Sequence, residues 1–210
     1  MCSPFDAGAT EVSAALGEYL ANEFREMGHY VVETPYFLDQ KLFMDQLLQF
    51  APEERMLVYS GHGFEEKLCG GTQFHCKKTS GGMIDKKNIS SLKGINYWCA
   101  CWAGRNLGIF AEDYAKAILG FDRPVYVFRN RKEHKYMNDW IKIFSEFPLQ
   151  IAKGKKVSDA YEDFRKACKK YIALYDSHKN DWDNAEWYFS RLIHNLDGGL
   201  LFGNRDAKLE

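Results

Sequence analysis

A histidine and a cysteine in the sequence each follow an apolar run, and their chemistry is complementary. Residues 56–59 lead to His62, and residues 95–100 lead to Cys101. A thiol and an imidazole in one cleft form the minimal unit for covalent acyl transfer, with the thiol as nucleophile and the imidazole as proton carrier. His62 and Cys101 are therefore the candidate catalytic pair.

The residues of this pair and the glycine beside them have distinct roles in that chemistry. Cys101 attacks a carbonyl carbon as the thiolate, and a nearby imidazole favours its ionisation. His62 delivers the proton to the leaving amine, a role that typically contributes about 10²–10⁴-fold to the rate. The backbone N–H groups of Gly63 and Cys101 are the natural donors to the tetrahedral oxyanion. A glycine next to His62 also lets backbone and substrate approach closely.

The helices and strands that must position the catalytic pair alternate along the chain. Helical spacing of apolar residues predicts helices at about 10–27, 39–50, 105–110, 137–152 (interrupted near Pro148), 158–177 and 184–195. Apolar runs predict strands at 30–32, 56–59, 95–100 and 115–121, with 125–128 as a candidate extension. The polar, glycine-rich stretch 64–94 predicts a long loop or hairpin excursion. Residues 1–3 are typical of the end of a first strand that is a stub or begins upstream.

This alternation indicates the fold class. Strands that are apolar along their length and separated by helices predict an α/β fold, with a mainly parallel sheet and helices on both faces, in one domain over 1–210. In such sheets functional groups gather beyond the carboxyl ends of the strands. If the strands before His62 and Cys101 are neighbours, both side chains project into one cleft.

Charge and hydropathy limit the partners. The chain has 28 Lys and Arg against 29 Asp and Glu, which gives no electrostatic reason to expect nucleic acid or an anionic membrane. No apolar run approaches the roughly 20 residues of a membrane helix. Residues 1–6 lack the basic and apolar regions of a signal peptide. We predict a cytoplasmic protein that binds neither nucleic acid nor membrane.

The cysteine pattern predicts neither a disulfide framework nor a metal site. Six cysteines are scattered through 210 residues, so reduced thiols are expected. Cys69, His75 and Cys76 form part of a zinc-like set, but no C-x-x-C pair completes it. We therefore predict no metal and no cofactor.

The residues around the pair resemble those of caspase-like cysteine peptidases, the group of caspases, metacaspases, legumains, clostripain and gingipains. Members carry a His-Gly step after one strand and an Ala-Cys step after the next, matched here by His62-Gly63 and Ala100-Cys101. Leu107-Gly108 followed by residues 114–121 is similar to the helix and strand that follow the cysteine in the prokaryotic gingipain-like branch. The ending 200–209 is similar to that branch more distantly. The resemblance, strongest over about 55–121, implies a three-layer caspase-like fold, the catalytic pair and the two oxyanion donors.

Substrate specificity does not transfer with the resemblance. Relatives that cut after Arg or Lys often hold Asp two residues before the nucleophile and caspases hold Gln, whereas this chain has Cys99. The candidate substrate contacts are Asp6, Cys99 and Trp102. Asp6 would suit a basic side chain. An acidic one would suit Arg105, Arg129 or Arg131.

Three other functions fit parts of the sequence. Cys99 to Arg105 spells the C-x₅-R spacing of a phosphatase loop, in which backbone amides cradle a phosphate and the arginine clamps it. In an amidase or glutamine amidotransferase the histidine follows the cysteine, so His178 or His194 would be the base. A caspase-like domain without turnover would serve as a binding or scaffolding module. If the protein is made as a zymogen, the stretches 64–94 and 122–132 are the candidate sites of self-cleavage.

Overall fold

The structure, a computed structural model, describes residues 9–33, 40–49, 51, 55–69, 83–128 and 134–209. Its helices are α1 (Ala9–Glu26), α2 (Gln40–Leu47), α3 (Asn106–Ala111), α4 (His134–Ala152), α5 (Val157–Ser177) and α6 (Ala185–Gly198). Its strands are β1 (Met56–Gly61), β2 (Gly63–Phe64), β3 (Lys67–Leu68), β4 (Ile84–Asp85), β5 (Ile95–Ala100), β6 (Ala117–Phe121) and β7 (Gly199–Gly203). A 3₁₀ turn at Ile89–Ser91 precedes β5.

Four of the described strands form a mixed, mainly parallel sheet in the order β1-β5-β6-β7. Strands β1, β5 and β6 are parallel, and β7 is antiparallel to β6. Met56 lies opposite Ile95 and Gly61 opposite Ala100, so β1 and β5 end at the same edge of the sheet. This arrangement confirms the predicted α/β class with a mainly parallel sheet.

Helices pack against both faces of this sheet because successive strand side chains point to opposite sides. On one face, Tyr97 and Leu119 belong to a core that contains residues of α1, α4, α5 and α6. On the other face, Trp98 and Ile118 belong to a second core with residues of α2 and α3. Every residue of β5 is buried, as expected for a strand covered on both faces. None of the described helices combines the length and apolar character needed to cross a membrane.

The excursion between β1 and β5 contains a small antiparallel sheet among its described residues. Strands β2, β3 and β4 follow one another in this sheet. The Cys69 N–H donates to the His62 carbonyl at 3.0 Å, and the Met83 N–H donates to the Leu68 carbonyl at 2.8 Å. The excursion therefore begins as a hairpin directly after His62.

Three predictions about elements were wrong. Residues 30–32 form no strand, and Tyr30 is 83% exposed, so this short run has too little burial to support pairing. Residues 125–128 also form no strand, because side chains rather than a neighbouring strand bond the backbone of Tyr126. Helix α4 continues through Pro148. The proline removes a backbone donor, but the fully buried Phe144, Phe147 and Ile151 stabilise the helix around it.

Candidate active site

The sheet brings the predicted catalytic pair to neighbouring strand ends. Gly61 pairs with Ala100 in the parallel register, and His62 and Cys101 are the next residues in each chain segment. Neighbouring strands run about 4.8 Å apart, so the two backbones leave the sheet side by side. Both residues are partly exposed. The placement fits acyl transfer, and their catalytic role remains a prediction.

Gly63 packs directly against the backbone of Cys101. A Cβ atom at Gly63 would lie 2.6 Å from the Cys101 carbonyl oxygen and 2.9 Å from the Ala100 Cβ. Contacts this short do not occur between real side chains and their neighbours, so only glycine fits. The segment after β1 and the segment after β5 are therefore in contact at the candidate site.

The β2–β3 ladder sets the direction of the Gly63 N–H group. Antiparallel ladders alternate between hydrogen-bonded and non-hydrogen-bonded pairs. The bond from Cys69 N–H to the His62 carbonyl marks His62–Cys69 as a hydrogen-bonded pair, so the next pair, Gly63–Leu68, is of the other kind. The Gly63 N–H consequently points away from β3, an orientation required of an oxyanion donor.

A buried tyrosine supports the turn at His62 from the core side. The Tyr59 hydroxyl lies 2.6 Å from the His62 carbonyl oxygen and 2.7 Å from that of Cys69. Its single proton is donated to one carbonyl at a time. Tyr59 has no exposed surface, so this contact fixes the backbone beside His62. The sequence predicts Tyr59 only as a strand residue, and its hydroxyl group is the signal that could indicate this further role.

The segment after Cys101 turns sharply over the end of β6. Trp102 has a φ of 55°, which is uncommon for a bulky residue and needs support from its surroundings. The Trp102 N–H donates to the Arg123 carbonyl at 3.1 Å, and the Gly104 N–H donates to the Phe121 carbonyl at 2.8 Å. The left-handed residue lies directly next to the candidate nucleophile. Trp102 is partly exposed, and its predicted contact with substrate remains a prediction.

Glu65 ties the His62 side of the site to the Cys101 side. Its carboxylate accepts from Arg105 Nη1 at 2.6 Å and from Asn106 Nδ2 at 3.2 Å. Its backbone carbonyl accepts from the Leu107 N–H at 2.7 Å. The turn between β2 and β3 is thus fastened to the start of α3. Sequence reasoning missed Glu65, because nothing in the local pattern separates it from Glu66.

Burial dominates the electrostatics of Cys101. Removal from solvent raises the pKa of its thiol, and the N–H group of Val125, 3.4 Å from Sγ, opposes this by favouring the thiolate. The thiol is therefore the resting form at neutral pH. In the predicted acyl transfer, a base would therefore have to take the proton during the attack, which is the role predicted for His62.

The reactivity of Cys101 is expected to rise with pH beyond the range of an ordinary cysteine. Because the folded-state pKa is raised, the thiolate fraction and the rate of alkylation by iodoacetamide keep increasing above the midpoint measured for the denatured chain. Mass spectrometry of digested protein would give the rate at Cys101. Buried Cys99 and Cys168 serve as unreactive internal controls. A rate that is already constant in mildly acidic solution would contradict this prediction.

Cys99 faces the core behind the site. Its side chain is 3% exposed and packs in the core shared with α1 and α4. Burial raises the pKa of its thiol far above the ordinary value. The structure gives no support to Cys99 as a substrate contact. It also argues against the phosphatase, since Cys99 lies inside β5 and Arg105 is paired with Glu65. Asp6, Arg129 and Arg131 lie outside the described residues.

Cys69 corrects the expectation that all thiols are reduced. It is disulfide-bonded, and its partner lies outside the described residues. A disulfide sulfur is not a thiolate ligand, so the partial zinc set loses one member, and its others, His75 and Cys76, are also outside the described residues. Disulfides are rare in cytosolic proteins, so this bond does not favour the predicted cytoplasmic location.

The two alternative histidines occupy different surroundings. The ring of His178 stacks on Trp182 with 3.9 Å between centroids. His194 is partly buried in α6, with Nε2 3.1 Å from the Pro124 carbonyl oxygen. Of the two, His194 contacts the carbonyl of Pro124, and the N–H of the next residue, Val125, donates to Cys101 Sγ.

Comparisons with known proteins give no family assignment. No protein-family model matches the chain, and no curated protein matches it at a significant level.

Proposed function

We propose that the chain is a cysteine endopeptidase with a three-layer caspase-like fold. The observation that carries the proposal is the pairing of β1 with β5, after which His62-Gly63 and Cys101 follow at one edge of the sheet. The contact between Gly63 and the Cys101 carbonyl supports it. The substrate class that this chemistry implies is a peptide or a protein.

The reaction runs through a thioester. His62 takes the thiol proton while Cys101 Sγ forms a bond to the scissile carbonyl carbon. The N–H groups of Gly63 and Cys101 stabilise the oxyanion. His62 then gives the proton to the leaving nitrogen as the C–N bond breaks. A water molecule attacks the thioester with His62 as base, which releases the carboxylic acid product and restores the thiol.

A caspase-like binding module without turnover is the second candidate. The burial that raises the pKa of the Cys101 thiol favours it, because a protonated thiol is a weak nucleophile. The two functions differ in one measurable property, the covalent reaction of Cys101 with a substrate-like electrophile.

Labelling of Cys101 by substrate-like probes tests the proposal. A panel of peptidyl acyloxymethyl ketones with Arg, Lys, Asp or Asn at P1 is added to wild type, Cys101→Ala and the matched control Cys99→Ala. We expect intact mass to show one label on wild type and Cys99→Ala and none on Cys101→Ala. The preferred probe identifies the P1 class.

Two outcomes would contradict the peptidase. If no probe labels wild type and no peptide is hydrolysed, the binding module becomes the better proposal. If labelling is lost in Cys99→Ala instead of Cys101→Ala, the nucleophile is not Cys101 and the C-x₅-R loop has to be reconsidered.

A further inference from the structure

One peptide group connects His194 to the candidate nucleophile. The carbonyl oxygen of Pro124 lies 3.1 Å from His194 Nε2. The N–H of the same peptide group, which belongs to Val125, donates to Cys101 Sγ at 3.4 Å. His194, the Pro124–Val125 peptide and Cys101 therefore form a continuous chain of hydrogen bonds.

The donor and acceptor roles in this chain are fixed. A peptide carbonyl only accepts hydrogen bonds, so His194 Nε2 carries the proton. A carbonyl that accepts a hydrogen bond makes the N–H of its own peptide a stronger donor, since hydrogen bonds in a chain polarise one another. Hydrogen bonds to the charged form of an ionisable group favour that form. This series of hydrogen bonds thus stabilises the thiolate of Cys101 and lowers its pKa, against the larger effect of burial.

Asn195, the residue after His194 in α6, binds the backbone of Tyr126, the residue after Val125. Asn195 Oδ1 accepts from the Tyr126 N–H at 2.8 Å, and Asn195 Nδ2 donates to the Tyr126 carbonyl at 2.7 Å. Trp140 Nε1 also donates to that carbonyl, at 3.0 Å. Asn195 is fully buried. Side chains of α6 therefore bond the backbone of residues 124–126 and hold it in place. In a parallel sheet, a neighbouring strand would make these backbone hydrogen bonds.

We propose that His194 is a positioning residue for Cys101, because its Nε2–H holds the Pro124–Val125 peptide with its N–H on Sγ. The inference rests on the proposed function in taking Cys101 as the nucleophile. His194 contacts the peptide and not the thiol, so its role differs from that of His62, the general base. The proposed role also differs from that of an amidotransferase base, for which the position of His194 after Cys101 made it a candidate.

Apart from the imidazole of His194 itself, which both amide variants lack, the charged groups near this segment are the same in every variant used below. Arg123 pairs with Asp122 at 2.7 Å on the segment itself, and Asp197 of α6 acts on Arg123. The guanidinium of Arg191 lies 4.1 Å from the ring centroid of Tyr126. His62 directly follows β1, whose last residue, Gly61, pairs with Ala100. Differences between variants at position 194 therefore report on the hydrogen-bond donor.

Two amide substitutions at position 194 show whether hydrogen-bond donation to the Pro124 carbonyl is needed, or whether any polar side chain at this position is enough. The amide nitrogen of glutamine lies about as far along the side chain as Nε2 of histidine, whereas that of asparagine is one carbon closer to the backbone. His194→Gln can donate to Pro124 and His194→Asn falls short of it. His29 makes the same kind of bond, with Nε2 2.8 Å from the Ala152 carbonyl oxygen, so His29→Asn is the control away from the site.

The measurement is the pH profile of iodoacetamide alkylation at Cys101. In His194→Asn we expect alkylation at neutral pH to be about two- to tenfold slower than in wild type, the worth of one neutral hydrogen bond. The rates converge at high pH, where the thiol is fully ionised. His194→Gln and His29→Asn follow the wild-type profile. Equal profiles for wild type and His194→Asn would overturn the proposal, as would equal shifts in His194→Asn and His194→Gln.

A second measurement tests the proposal without His194→Asn, in case that variant does not fold. The Val125 amide proton of wild type is followed by NMR, with Cys101→Ala as the comparison. We expect its resonance to move upfield when the sulfur acceptor is removed, and to keep its wild-type position in His194→Gln. No movement in Cys101→Ala would show that the bond to Sγ is not made, which overturns the proposal.

Failure of this inference is distinguishable from failure of the peptidase. Iodoacetamide reacts with any accessible thiolate and needs no substrate recognition or turnover. If His194→Asn is shifted but no peptidyl probe labels wild type, only the proposed function fails. If the probes label Cys101 but position 194 does not affect its profile, only the inference about His194 fails.

Discussion

Replacing His62 by alanine is expected to lower kcat for peptide hydrolysis by about 10²–10⁴-fold, the usual contribution of a positioned acid and base. Burial raises the pKa of the Cys101 thiol, so little thiolate is present at neutral pH without a base. The leaving amine also loses its proton donor. The fluorogenic peptide that matches the best probe from the labelling panel provides the assay.

The pH dependence of His62→Ala distinguishes the loss of a base from the loss of a fold. As the pH rises through the raised pKa of Cys101, the thiolate forms without help, so labelling by the peptidyl probe should recover in the variant. His178→Ala is the matched control, since His178 stacks on Trp182 and has no part in the proposed reaction. A loss of less than tenfold in His62→Ala, or an equal loss in His178→Ala, would remove His62 from the mechanism.

The parts of the site that the sequence predicted are those fixed by burial. A strand covered on both faces must be apolar throughout, so residues 95–100 could be recognised, and β5 has those bounds. Parallel strands end at one edge, so the proximity of His62 and Cys101 followed once β1 and β5 were taken as neighbours. That neighbour relation was an assumption before the register of Gly61 with Ala100 was known.

The parts that the sequence could not predict depend on partners far along the chain. Residues 125–128 have the composition of a strand, but Asn195 and Trp140 bond the backbone of Tyr126. In the sequence Glu65 lies in an ordinary charged turn, and only the fold brings Arg105 and Asn106 within hydrogen-bond distance of its carboxylate. The local sequence around 125–128 does not reveal that side chains from distant helices bond this backbone in place of a neighbouring strand. The pattern of helices and strands likewise does not reveal which distant residues a surface carboxylate will bind.

A single methyl group at Gly63 tests whether the contact between the two strand-end segments matters for catalysis. In Gly63→Ala the new Cβ would lie 2.6 Å from the Cys101 carbonyl oxygen, so the backbone of one segment has to move. Loss of one oxyanion donor lowers kcat by about 10²–10³-fold, and a displacement of this size acts on the N–H groups of both Gly63 and Cys101. We expect hydrolysis of the best fluorogenic peptide to fall by at least about 10²-fold.

The control for this variant is Gly199→Ala at the start of β7. There the nearest atom to a new Cβ is Phe164 Cε1 at 3.6 Å, an ordinary van der Waals contact, so activity should stay within about twofold of wild type. Iodoacetamide alkylation of Cys101 should persist in Gly63→Ala, because the thiol itself remains. Loss of hydrolysis with retained alkylation assigns the defect to oxyanion stabilisation. Hydrolysis within threefold of wild type would mean that the oxyanion is bound elsewhere, since the methyl group cannot be accommodated without moving the Gly63 or Cys101 backbone.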